Sequence, residues 1–144
     1  CSNSEIHVRF NFMEKSYKFD VKIYYEDTDA GGVVYYANYL KFTERARSEM
    51  IYEVLGLKHK ELKEKFNVIF VVTAINAKYL KSAKFEDNIT VITNILKSSA
   101  VRLTLKQDIK IKDTLLFTSE VELAVVKGNG SIQKLPKELL SKIN

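Results

Sequence analysis

The chain predicts an α+β domain, with one long amphipathic helix set against an antiparallel sheet. Three observations carry that expectation. From Asn38 to Leu55 apolar residues recur at steps of three or four, the helical period. From Val71 to Val125 they recur at steps of two, in four successive runs. A further alternating run, residues 17–24, precedes the helix. At 144 residues the chain suits one domain with a sizeable core. The expected division is an N-terminal extension over residues 1–16 and a single domain over 17–144.

Residues 1–12 fit no pattern cleanly and are open to three readings: a leader, an artificial remnant or an edge strand. Met13, just before the first good strand, is a candidate functional start. In that strand Tyr17, Phe19, Val21 and Ile23 alternate with Lys18, Asp20 and Lys22, as in a half-buried strand. A loop over residues 26–32 follows. On the helix, Tyr39, Phe42, Ala46, Met50 and Val54 share one face, and Gly56 after Leu55 is a suitable stop. Residues 58–65 make a short, charged second helix. Next come Val71, Thr73, Ile75, Ala77 and Tyr79 on one strand face, then Ile89, Val91, Thr93 and Ile95 on another. Val101, Leu103, Leu105, Gln107, Ile109 and Ile111 form the cleanest alternation. Leu115, Phe117, Ser119, Val121, Leu123 and Val125 form the last. Connections near residues 84–88, 97–100 and 112–114 predict a four-strand meander. Pro136 opens a terminal helix over residues 137–143. One helix covers one sheet face, leaving edges and outer surface for assembly.

Composition narrows the function classes. Hydrophobic residues at 46% and charged residues at 28% describe a soluble globular chain without an apolar run long enough for a membrane helix. The first residues lack the basic start and apolar stretch of a secretory signal. Cys1 is the sole cysteine, so no intrachain disulfide or cysteine-based zinc site is expected, and a cytoplasmic setting fits. The net charge of +5 is scattered rather than blocked. It suits an anion, including a nucleotide-bearing one, and no nucleic-acid signature accompanies it. No G-x-S-x-G elbow, glycine-rich phosphate loop or metal-ligand cluster occurs. No metal is expected. His7 and His59 have charged neighbours and read as surface residues.

The chemistry-bearing stretch is Tyr25-Glu26-Asp27-Thr28-Asp29-Ala30-Gly31-Gly32-Val33-Val34-Tyr35-Tyr36-Ala37-Asn38-Tyr39. Three acids, two glycines and an aromatic pair separate a strand from the long helix. That order sets a carboxylate beside helix N-terminal N–H groups, which carry partial positive charge and lack intrahelical partners. Such a pairing suits acyl transfer. An ordinary acidic turn is the competing reading, because Asp and Gly are common in turns.

This stretch, continued by Leu40 and by Phe42-Thr43-Glu44-Arg45-Ala46-Arg47, resembles the hot-dog-fold acyl-CoA thioesterases. The nearest branch in appearance is the YbgC-type, Tol–Pal-associated thioesterases, with 4-hydroxybenzoyl-CoA thioesterase as a cousin. Strand order agrees over residues 17–127. The resemblance implies an antiparallel sheet wrapped around one central helix, with homodimers or homotetramers carrying interfacial active sites. It implies hydrolysis of an acyl-CoA to a carboxylic acid and free coenzyme A. No cofactor is implied, since coenzyme A belongs to the substrate. An envelope-associated or acyl-carrier-protein partner is also implied as an option.

Asp29 matches the family's catalytic aspartate. Residues 32–36 match the segment whose backbone N–H polarises the thioester carbonyl, which gives Tyr36 its catalytic role. Gly31, Gly32, Val33, Tyr35 and Asn38 are the expected substrate-binding residues. Tyr36 departs from the histidine usual in the YbgC branch and agrees with the hydroxybenzoyl-CoA branch. Asp29 could attack the carbonyl to form a mixed anhydride, or deprotonate a water. Asp27 reads as a brace for the loop. The glycines also suit a plain turn, and the Tyr36 ring an interface. Glu44 is a secondary acid candidate, because some hot-dog thioesterases use an acid from this helix. Arg45 and Glu49, four apart, are expected to pair. Lys78, Lys81, Lys84 and Arg102 could meet coenzyme A phosphates, although a solvated strand face is favoured. A hydratase would need a histidine in the site. The alternative from another class is a non-catalytic acyl-CoA or acyl-carrier-protein binding module.

Overall fold

The computed structural model describes residues 8–11 and 16–143, with side chains from residue 16 onward. Cys1, His7 and Met13 lie outside the described residues. Six strands form one sheet: β1 (Val8–Asn11), β2 (Ser16–Lys22), β3 (Ile69–Tyr79), β4 (Asn88–Ser98), β5 (Arg102–Ile111) and β6 (Thr114–Val126). Three helices accompany them: α1 (Asn38–Leu55), α2 (His59–Phe66) and α3 (Lys137–Ile143). The strand order is β1-β2-β4-β5-β6-β3, with every pairing antiparallel. Within residues 1–12, the described part is an edge strand, Val8 opposite Phe19.

The expected four-strand meander is corrected to three strands, β4-β5-β6. β3 pairs with β6 at the far edge, and residues 80–87 cross back to β4, which lies beside β2. Alternation marks a strand and its buried face but carries no label for its neighbour.

Two faces shift as well. A bulge between Val72 and Ala74 puts Phe70 and Val72 opposite buried Val125 and Leu123, while Ile75, Ala77 and Tyr79 face Val121, Ser119 and Phe117. Val71 therefore lies on the opposite face from Ile75, because one extra residue reverses the alternation. A second irregularity near Ile109 sets Leu115 opposite Lys110, and Leu116 is buried instead.

The sheet packs on α1 through the predicted stripe. Tyr39, Phe42, Ala46 and Met50 are buried, and Val54 packs at the edge. Against them lie Tyr17, Ile89, Val91, Leu103, Leu105, Ile109, Phe117 and Val121. Each large apolar side chain so buried is worth roughly 1.5–3 kcal/mol. Gly56 ends α1 with φ 74°, and its N–H donates to the Tyr52 carbonyl at 2.8 Å.

Gln107, in the middle of this core, is fully employed. Its Nε2 donates to the Thr43 carbonyl and to Thr93 Oγ1, both at 2.9 Å, and its Oε1 accepts from Arg47 Nη1 at 3.0 Å. Burial pulls the Arg47 guanidinium below its ordinary pKa, with nearby Glu44 opposing the shift. The expected Arg45–Glu49 ion pair is absent among the described residues. Both residues lie on the wet side of α1, where an exposed pair gains little over solvation. The Ser48 hydroxyl donates to Glu44 Oε2 at 2.6 Å.

Candidate active site

Between β2 and α1 the chain makes a compact loop held almost wholly by backbone. Ile23 anchors its start: the Ile23 N–H donates to the Asp87 carbonyl at 2.9 Å, and its own carbonyl accepts from Glu86 N–H at 3.0 Å. A turn of 3-10 helix, Tyr25–Asp27, follows. Asp27 Oδ2 accepts from Tyr24 N–H at 2.9 Å. The Asp27 carbonyl accepts from Tyr35 N–H at 3.1 Å and from Asn38 Nδ2 at 2.9 Å. Asp27 is thus a brace, and buried Asn38 ties the base of the loop to α1.

Asp29 sits at the loop's outer end. Its N–H donates to the Val33 carbonyl at 2.9 Å and its carbonyl accepts from Gly32 N–H at 3.0 Å. Its Oδ1 accepts from Gly31 N–H at 2.8 Å. That bond orients the carboxylate, and the residue is exposed. A Cβ on Gly31 would lie 3.2 Å from Oδ1, so the glycine permits the close approach. Gly32 holds φ at 81°, a left-handed conformation that glycine adopts without strain. Val33 bridges to Lys84, Thr28 bridges to Val34, and Val34 N–H donates to the Ala83 carbonyl at 2.8 Å.

The start of α1 is open. Ala37 occupies the N-cap position with no side-chain cap, and among the described residues nothing accepts a hydrogen bond from Tyr36 N–H. The Tyr36 and Tyr35 rings lie 4.8 Å apart, both exposed. The Tyr36 hydroxyl beside it holds the Tyr35 phenol above its ordinary pKa. Behind Tyr36 runs an aromatic chain: Tyr79 lies edge-on to it at 6.0 Å, and Tyr39 and Phe117 contact Tyr79 at 5.7 and 5.1 Å.

Asp29, Gly31, Gly32, Val33, Tyr35, Tyr36 and Asn38 therefore share one loop–helix unit. Asn38 sits in it differently from the rest, with its amide committed to the loop backbone. Sequence reasoning missed the crossover over residues 80–87, whose Ala83 and Lys84 close the far side of the loop. Tyr79 was placed on a strand face without its link to Tyr36. His59 is exposed at the start of α2. Arg102 is engaged by Glu122 at 2.7 Å, which suits the solvated-face reading. An apolar void lies near the other end of α1, lined by Met50, Val54, Leu55, Phe70 and Ile143.

An exposed carboxylate in the loop that leads into an uncapped helix start, with a sheet wrapped on that helix, invites comparison with known proteins. A profile of the thioesterase-like superfamily matches residues 23–143. The chain belongs to that superfamily. The acyl-CoA thioesterase YbgC of Haemophilus influenzae is 34% identical over 128 residues, covering 88% of this chain and 93% of that protein. The acyl-CoA thioesterase YbgC of Helicobacter pylori is 36% identical over 135 residues, covering 85% and 98%. Among solved structures, a probable thioesterase from Bartonella henselae superimposes with TM-score 0.78 at 29% identity, over 92% of this chain and all of that one. A 4-hydroxybenzoyl CoA thioesterase superimposes with TM-score 0.81 at 14% identity, over 90% of this chain and 99% of its own, which establishes shared fold alone. As a member of the superfamily, the chain has the expected hot-dog fold, and no helix among the described residues is long and apolar enough to cross a membrane.

Proposed function

We infer that the protein hydrolyses acyl-CoA thioesters to a carboxylic acid and free coenzyme A. The observation that carries this reading is the Asp29 carboxylate, turned outward by Gly31 N–H in the loop that leads into the uncapped start of α1. The thioesterase relatives supply the substrate class. Tyr36 N–H donates a hydrogen bond to the thioester oxygen as negative charge develops there, helped by the partial positive charge of the helix end. Asp29 either attacks the carbonyl carbon, forming a mixed anhydride that water then opens, or takes a proton from a water that attacks directly. In both, the carbon–sulfur bond breaks and the thiolate of coenzyme A takes up a proton. Gly31, Gly32, Val33 and Tyr35 line the approach, and Asn38 holds the loop to the helix. The reaction calls for no cofactor, and a cytoplasmic site suits it.

The site lies open on the protomer surface, and the β3 edge beside it exposes Val71, Val72 and Ile75. A homodimer or homotetramer in which a second copy covers β3 would enclose the acyl group. An acyl-carrier-protein thioester is the other form of substrate that this chemistry admits.

Release of free thiol from a panel of aliphatic and hydroxybenzoyl acyl-CoAs tests the reading. Turnover with one class, abolished in Asp29→Asn, is the expected result. Unchanged turnover in that variant removes Asp29 from the chemistry. Binding without turnover in the intact protein would make it a binding module. Oxygen-18 from solvent water entering the Asp29 carboxylate during turnover marks the anhydride route.

A further inference from the structure

Asp29 and Tyr36 must stay in fixed relation for the chemistry above, yet the chain joining them contains Gly31 and Gly32. Glycine-rich connections do not by themselves fix distances. Asn38 secures the base of the loop through the Asp27 carbonyl. Its outer arm, Val33 and Val34, is secured elsewhere, on the crossover, where one residue also reaches α1.

That residue is Ala83, which has no exposed surface. Its carbonyl accepts from Val34 N–H at 2.8 Å, and its N–H donates to the Tyr39 hydroxyl at 2.9 Å. Val34 belongs to the arm that carries Asp29, through the Thr28–Val34 bridge and the Asp29–Val33 bond. Tyr39 belongs to the first turn of α1. Its ring is immobilised, stacked on Phe117 at 5.6 Å and edge-on to Phe42 and Tyr79. Burial raises the phenol pKa and keeps the hydroxyl neutral, while the Ala83 bond opposes that shift. The ring supplies the packing. The hydroxyl supplies the acceptor for a buried N–H that has no other partner among the described residues.

We propose that Tyr39 is a positioning residue whose hydroxyl, through the Ala83 backbone, fixes the α1 N-terminus relative to the Asp29 loop. The catalytic consequence rests on the thioesterase reading above; the mechanical link does not. Displacements of about 1 Å between reacting groups cost on the order of a hundredfold in rate.

Tyr39→Phe keeps the ring and removes the acceptor. Amide exchange in this variant should accelerate at Ala83 and Val34, with amides around Gly56 unchanged. With an acyl-CoA that the wild-type protein turns over, kcat should fall about tenfold with KM within about twofold, the signature of lost transition-state alignment. Gln107→Leu, remote from the loop, is the control for stability loss alone and should keep its kcat at a temperature where it remains folded. Wild-type kcat in Tyr39→Phe, or parallel losses of kcat and Tm in both variants, overturns the proposal. If the wild-type protein releases no thiol, the functional reading fails and exchange decides the link: acceleration at Val34 upholds it, and wild-type protection overturns it.

Discussion

Polar side chains are used in opposite ways at the middle and at the start of α1. Near its middle, Arg47, Gln107, Thr43 and Thr93 are all buried, and the Gln107 amide bonds Arg47 Nη1, the Thr43 carbonyl and Thr93 Oγ1. At its start, the Asp29 carboxylate is exposed, with one oxygen held by Gly31 N–H, in the loop that leads into a helix end with no side-chain cap. In the first arrangement the Gln107 amide is committed on both its nitrogen and its oxygen. In the second, the acid and the helix end keep capacity for a ligand. Buried polar packing and the proposed reactive group are thus separated along one helix.

Four substitutions break or sharpen that contrast. Asp29→Asn should reduce thioester turnover by about a thousandfold or more while moving Tm little, since the exposed side chain contributes one local hydrogen bond. A large loss of Tm with retained activity would reverse the assignment of the two regions. Gln107→Leu should do the converse. It leaves a buried guanidinium without its acceptor, and chemical denaturation should report about 2–3 kcal/mol of lost stability. Gly31→Ala tests the close approach: its Cβ would press on Asp29 Oδ1 at 3.2 Å, and kcat should fall about tenfold as the carboxylate turns away. Equal kcat in this variant would mean that the orientation of Oδ1 is irrelevant.

The smallest effect should come from Tyr17→Phe. The Tyr17 hydroxyl is buried with no hydrogen-bond partner among the described residues, so removing it should stabilise by about 1 kcal/mol. Burial, then Glu49 and Glu53, raises its pKa well above the ordinary tyrosine value. A raised pKa means that the folded state holds its proton more tightly. The associated stability is complete below the unfolded value of about 10 and is lost as pH climbs from there toward the folded value. Urea midpoints at pH 8 and pH 11 should fall further apart in the wild-type protein than in Tyr17→Phe. Identical pH slopes would exclude Tyr17 from alkaline destabilisation.

The local architecture was readable wherever one residue's neighbours along the chain decide its state. The bounds of α1 follow from its period and from Gly56, and the buried stripe Tyr39–Phe42–Ala46–Met50 appears as expected. The loop acids were legible for the same reason: Asp27 bonds back to Tyr24, three residues away. Non-local relations were not. Nothing local in residues 69–79 specifies β6 rather than β4 as partner, and the bulge near Thr73 is invisible to an alternation count. Ala83 makes its bonds through backbone N–H and carbonyl, which nearly every residue possesses, so no side-chain pattern could have singled it out.

The position of β3 has a consequence during synthesis. Ile69 pairs with Val126, so the first strand made after the helices has its partner made last. While β4, β5 and β6 are being translated, an apolar strand with Val71, Val72 and Ile75 has no edge to join. Nascent chains of intermediate length are therefore the aggregation-prone species of this protein. A chain stopped at residue 113 should bind more of a hydrophobic dye than the full chain does.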